Sequence, residues 1–156
     1  MRIQTPRGLT LAGTFVNPVD STDAAILFSH SFLANRHSGD HFDRLARVYR
    51  SAGYATLEFD YSGHGESDDD IITTEHQVED LRSASGWLAD QGFVRQLIHG
   101  HSFGAVSAMI ASPCLSLSRS LARMSFTTPA AGEGTPMLAL SDSSTSSPCS
   151  ASTRSP

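Results

Sequence analysis

The sequence predicts an α/β fold, a mostly parallel sheet with helices on both faces. Three observations carry this. Short apolar runs recur at Ala24–Ser29, Ala55–Asp60 and Val94–His99, the pattern of strands buried on both sides. Stretches with apolar residues at helical spacing stand between and after them. The resulting order (strand, helix, strand, helix, strand, helix) is the rhythm of βαβ crossovers.

Taken in order, Arg2–Thr5 and Leu9–Phe15 read as a hairpin turning at Pro6-Arg7-Gly8. Ala24–Ser29 is the first buried strand. A helix is expected from about Asp40 to Ala52, because Phe42, Leu45, Ala46 and Tyr49 share one face and Gly53 is placed to end it. Ala55–Asp60 is the second buried strand, followed by the polar loop Tyr61-Ser-Gly-His-Gly-Glu-Ser67. The next helix is expected to start near Thr74, with Gln77 completing a capping-box spacing. Val78, Leu81, Ala84, Trp87 and Leu88 form its apolar stripe, and Gly92 ends it. Val94–His99 is the third buried strand and Phe103–Ala111 the third helix.

The chain has 156 residues, enough for one domain, and a net charge of −5, which argues against nucleic acid as a partner. No apolar run is long enough to span a bilayer and no signal pattern opens the chain, so a cytoplasmic protein is expected. Cys114 and Cys149 match no metal or redox spacing and read as free thiols.

The texture changes near residue 112. Residues 1–112 hold 14 of the 16 acidic residues, the Trp, every Tyr and every His. Residues 113–156 hold 12 Ser, 5 Thr and 5 Pro among 44 positions, a mixture that buries too little apolar area to offset its ordering entropy. All 11 basic residues are Arg and none is Lys, the mark of a GC-rich gene. In such a gene a shifted frame meets few stop codons and yields this composition. The tail is therefore expected to be out of frame, with a genuine disordered tail as the alternative.

Gly100-His101-Ser102-Phe103-Gly104 is a G-x-S-x-G motif at the junction of the third strand and third helix. A serine hydroxyl is a weak nucleophile unless a sharp turn presents it beside a base and oxyanion donors. Ser102 is the candidate nucleophile, with Gly100, His101 and Gly104 shaping the turn. An ordinary glycine-rich βα turn is the competing reading. Acyl transfer also needs two N–H groups aimed at the developing oxyanion. Phe103 follows the nucleophile and supplies one; Phe32, in the loop after the first buried strand, is the candidate for the other. The competing reading makes Phe32 a core aromatic at the sheet edge.

His30-Ser31-Phe32, Phe59-Asp60-Tyr61-Ser62-Gly63-His64-Gly65-Glu66-Ser67 and Gly100-His101-Ser102-Phe103-Gly104 together resemble the α/β-hydrolase superfamily. Their order and intervals are similar to its serine aminopeptidase, lysophospholipase and feruloyl-esterase-like branch. Where that pattern has His-Gly, this chain has His30-Ser31. The resemblance runs from Leu9 to Ala111, the N-terminal half of such a domain, and implies the α/β-hydrolase fold truncated after the nucleophile-elbow helix. It implies hydrolysis of a small-molecule carboxylic ester, thioester or amide through an acyl-enzyme on Ser102. No metal or organic cofactor is implied. In the family the Gly63–Ser67 loop is a structural turn near the active site. Asp68-Asp69-Asp70 reads as solvated helix-entry charge, with a Ca²⁺ site as the alternative.

The triad of this fold runs Ser, acid, His in chain order. All seven histidines (His30, His37, His41, His64, His76, His99 and His101) precede Ser102, and the later acids are only Glu133 and Asp142. His30, His99 and His101 are expected near Ser102, the last two pointing away from it. The chain is therefore expected to be incomplete and inactive as it stands. The contrasting class is a catalytically dead pseudoenzyme or interaction fragment.

Overall fold

The computed structural model describes residues 1–111 and two short strands at 124–125 and 137–138. Its elements are β1 (Arg2–Gln4), β2 (Thr10–Val16), β3 (Ala24–Ser29), α1 (His41–Ser51), β4 (Ala55–Phe59), α2 (Thr74–Asp90), β5 (Arg95–Gly100), α3 (Phe103–Ala111), β6 (Met124–Ser125) and β7 (Met137–Leu138). The main sheet runs β1-β2-β4-β3-β5, and β6 pairs with β7 separately. β3 pairs in parallel with β4 and β5, Leu27 lying opposite Leu57 and Ile98, while β2 meets β4 antiparallel. Putting β3 between its two parallel neighbours brings its C-terminal end against that of β5.

Alternation along β3 builds two cores. Ala25 and Leu27 face α2 and α3, packing with Leu57, Phe59, Leu81, Ala84, Leu88, Ile98 and Ala108. Ile26 and Phe28 face α1, packing with Phe42 and Ala46 and, at the margin, Leu45 and Tyr49. Helices thus cover both faces, as the apolar runs require. β4 departs from a wholly apolar strand: Thr56 and Glu58 are buried towards α1, where Arg50 donates to Thr56 Oγ1 at 2.7 Å and to Glu58 at 2.6 Å. Burial still holds the Glu58 carboxyl above its ordinary range, against the pull of Arg50.

Three expectations shift. The third buried strand runs from Arg95 to Gly100 rather than from Val94 to His99, since Gly100 pairs with Ser29. The second helix is capped by Thr73, not Thr74: Thr73 is extended at φ −128 and its hydroxyl accepts the His76 N–H at 3.1 Å. Gln77 closes no capping box; it is buried and accepts the Ser107 hydroxyl at 3.0 Å. The hairpin forms as expected, though its strands are Arg2–Gln4 and Thr10–Val16 rather than Arg2–Thr5 and Leu9–Phe15, and Gly8, at φ 82, occupies a backbone region that side chains rarely adopt. Arg7 at its tip reaches Asp70, Glu79 and the fully buried Asp80, tying the hairpin to α2. Apart from the two short strands, the Ser/Thr/Pro-rich segment, with both cysteines, lies outside the described residues.

Candidate active site

The sharp turn between β5 and α3 is built by close approach. A Cβ on Gly100 would stand 2.6 Å from the Ala105 Cα, and one on Gly104 would overlap the carbonyls of Ser29 and His30. Both glycines are thus required for α3 to leave β5 directly over the end of β3. Ser102 sits at φ 53, a left-handed conformation that a non-glycine residue holds only when its surroundings enforce it. They do so here: the His101 N–H donates to the Ser29 carbonyl at 3.0 Å, and the Gly104 and Ala105 N–H groups turn back onto His101 and Ser102. Ser102 is exposed, and its Oγ has no hydrogen-bond partner among the described residues.

Phe103 is the first residue of α3, so its N–H has no intrahelical acceptor. Phe32 stands in the turn after β3, half exposed, its ring edge-on to that of Phe103 at 6.0 Å between centroids. Its N–H meets no acceptor among the described residues. The structure therefore brings Ser102, Phe32 and Phe103 to one end of the sheet, with two amides free to receive a ligand.

The orientation of the Phe32 amide follows from its neighbours. The Ser31 carbonyl accepts the Ala34 N–H at 3.2 Å and lies 2.8 Å from His30 Nδ1. Because a trans peptide points its C=O and N–H in opposite directions, fixing the Ser31 carbonyl fixes the Phe32 N–H. His30 Nε2 accepts the Tyr61 N–H at 3.1 Å, so the ring is a neutral Nδ1–H imidazole with both nitrogens engaged. Its burial, 1% exposed, lowers its pKa to about 4.

The other histidines are placed as follows. His99 is buried among Phe28, Phe42 and Tyr49 on the α1 face, its pKa lowered by burial to about 4. The His101 ring lies 6.0 Å from that of His41, its Nδ1 buried without a partner. His64 Nδ1 bonds the Ser62 carbonyl at 3.0 Å, and its ring packs on His30 and Phe32. His37 and His76 sit on acidic partners away from the turn.

Sequence reasoning missed the polar frame under the site. Ser29 Oγ donates to the Gly104 carbonyl at 2.7 Å and lies 2.6 Å from the Tyr61 hydroxyl, locking β3, α3 and the end of β4 together. Asp60, wholly buried, pairs with Arg36 from the loop after β3. Of the acidic run, Asp68 accepts the Thr10 N–H at 2.8 Å and Asp70 pairs with Arg7 and His76. Among the described residues no group of three or more His, Cys, Asp or Glu is arranged to hold a metal ion, and no helix is long and apolar enough to cross a membrane.

The sequence profile of a family described as alpha/beta hydrolase family matches residues 26–148. No curated protein matches the sequence. The structure is similar to the esterase Pf2001 of Pyrococcus furiosus, with a TM-score of 0.66 and 23% identity over 73% of this chain and 43% of that one. It is similar to Est1E from Butyrivibrio proteoclasticus, solved with ferulic acid, at a TM-score of 0.65 and 24% identity over 72% and 47% of the two chains. XC6422 from Xanthomonas campestris, described as an α/β serine hydrolase without lid, gives 0.65 and 21% over 74% and 55%. At these identities the structural similarity shows a shared fold alone, and the chain spans between 43% and 55% of the length of these three proteins.

Proposed function

The chain belongs to the alpha/beta hydrolase family, and on that footing we propose that it is a serine hydrolase whose nucleophile is Ser102. Its substrate is a small-molecule carboxylic ester, thioester or amide. The observation that carries this reading is the left-handed Ser102 on the β5–α3 turn, facing outward beside two amides without acceptors. Ser102 Oγ attacks the acyl carbon, and its proton passes to a base. The carbonyl oxygen becomes an anion received by the Phe32 and Phe103 N–H groups. Collapse expels the alcohol, thiol or amine and leaves an ester on Ser102, which water then hydrolyses.

The base is the missing part. His30 has both ring nitrogens engaged, His99 faces the α1 core, and Ser102 Oγ makes no hydrogen bond to an imidazole among the described residues. This favours a second reading, a catalytically dead pseudoenzyme or interaction fragment. A thiol separates the two, because a cysteine with its ordinary pKa near 8.5 ionises without a partner base. In Ser102→Cys, treated at pH 8.5 with p-nitrophenyl acetate, the thiolate attacks the acetyl carbon, expels p-nitrophenolate and forms a thioester. Peptide mapping that finds the acetyl group preferentially on the introduced thiol supports the hydrolase reading. Acetylation spread evenly over that thiol, Cys114 and Cys149 overturns it in favour of the second.

A further inference from the structure

We propose that the Arg36–Asp60 pair is the positioning element of the oxyanion loop, fixing where the Phe32 amide stands relative to Ser102. This rests on the reading of Ser102 and Phe32 given above.

The segment between β3 and α1 has little apolar anchorage. Phe32 is 51% and Leu33 78% exposed, and Leu33, Ser38 and Asp40 all take positive φ. Left to itself such a loop would be free to move, and an amide that wanders gives no oxyanion stabilisation. It is instead held at two points. At its root His30 engages the Ser31 carbonyl. Four residues beyond Phe32, Arg36 donates its backbone N–H to the Asp60 carboxylate at 2.6 Å and its guanidinium to the same group.

Asp60 is a fixed post. It is fully buried and continues β4 into the following turn, its own N–H donating to the Ala12 carbonyl at 2.9 Å. Its carbonyl accepts the Ser67 hydroxyl at 2.6 Å, and its carboxylate accepts the Glu66 N–H at 3.0 Å. Gly65, at φ 56, lies so close that any Cβ there would overlap the carboxylate. The second guanidinium nitrogen of Arg36 reaches the Glu66 carboxylate at 2.9 Å. A buried carboxylate is tolerated only while its charge is paired and hydrogen-bonded. The loop therefore cannot lift without leaving Asp60 unpaired, and that penalty holds Phe32 in place. The Gly-His-Gly-Glu-Ser turn thus shapes a socket for Asp60, through which the oxyanion loop is tied to the sheet.

The test uses the full chain in the Ser102→Cys background and two reagents. Acylation by p-nitrophenyl acetate develops an oxyanion; alkylation by iodoacetamide at the same sulfur does not. Arg36→Ala and Asp60→Asn should lower the acylation-to-alkylation ratio at the position-102 sulfur by about tenfold or more, the scale of a displaced oxyanion donor. Arg36→Lys, which keeps the charge, should recover part of it. A ratio unchanged within about twofold, with the parent keeping its acylation advantage, overturns the proposal while leaving the nucleophile reading intact. Acylation and alkylation falling together in all three variants shows a merely structural pair and overturns it too. A parent with no acylation advantage overturns the nucleophile reading instead.

Discussion

The Tyr61 hydroxyl lies 2.6 Å from Ser29 Oγ, and both side chains are sealed from solvent. Because Ser29 gives its single proton to the Gly104 carbonyl, Tyr61 is the donor in this pair. Burial pushes the Tyr61 phenol above its ordinary pKa, which keeps it protonated and able to donate. The two deletions are therefore unequal. Tyr61→Phe removes a donor and leaves Ser29 still bonded, at about 1 kcal/mol. Ser29→Ala takes the acceptor from the buried Tyr61 hydroxyl and removes a second donor from the Gly104 carbonyl, and should cost about 2 kcal/mol. Urea unfolding of the two variants gives the order directly; a larger loss for Tyr61→Phe would refute this donor assignment.

Glycines on the same chain should respond in opposite directions. Gly104→Ala drives a methyl into the Ser29 and His30 carbonyls, and Gly100→Ala meets the Ala105 backbone. Each should destabilise by about 3 kcal/mol or more, since backbone rather than a flexible side chain must yield. Gly86, inside α2, has nothing within 4 Å of where an added methyl would stand, so Gly86→Ala should stabilise by about 0.5–1 kcal/mol. Thermal midpoints that shift in the same direction for all three would contradict these contacts.

The sheet and its two covering layers are legible in the sequence because β3 and the helices carry their burial in their composition. What is illegible is polar and long-range. Arg36 and Asp60 are 24 residues apart, and nothing in the local pattern of either announces the other. The available signal is an acid ending a buried strand just before a Gly-x-Gly turn, a place where only a paired carboxylate is tolerable. Thr74 has the capping-box spacing to Gln77, yet Thr73 caps the helix, because the cap is set by a backbone angle that sequence does not show. The nucleophile turn is readable as Gly-x-Ser-x-Gly, but one of the bonds that enforce φ 53, from the His101 N–H to the Ser29 carbonyl, comes from the distant end of β3.

Two buried histidines set a pH dependence. His30 and His99 have pKa values of about 4 in the folded chain against 6.5 for an unhindered imidazole, both lowered chiefly by burial. Between pH 6.5 and 4 the unfolded chain binds protons that the folded chain refuses, so stability falls as pH falls through that window. Each histidine contributes a slope of up to about 1.4 kcal/mol per pH unit. His41, also lowered by burial, adds in the same sense, and Glu58, held up by burial, opposes it just above its ordinary pKa. Unfolding free energies at about pH 7 and about pH 5 should differ by a few kcal/mol, and by clearly less in His99→Gln. Equal stabilities at the two pH values would show that neither ring is held neutral.

With no imidazole hydrogen-bonded to Ser102 among the described residues, the native chain should hydrolyse p-nitrophenyl acetate no faster than Ser102→Ala. Loss of the base in a serine triad removes on the order of 10⁶ in turnover, leaving only binding and oxyanion effects. A clear Ser102-dependent rate would mean that a histidine upstream of the turn reaches the hydroxyl.

The nucleophile-and-oxyanion assignment is tested most directly by the acylation-to-alkylation rate ratio at the introduced sulfur of Ser102→Cys. The reference is the same ratio for N-acetylcysteine under the same conditions. Dividing by alkylation removes differences in thiolate fraction and access, leaving the stabilisation of the oxyanion. Two amides poised at Phe32 and Phe103 predict a ratio about a hundredfold or more above the free thiol, the scale of oxyanion-hole donors. A ratio equal to that of N-acetylcysteine would show that the amides serve no oxyanion, and that Ser102 stands in an ordinary turn.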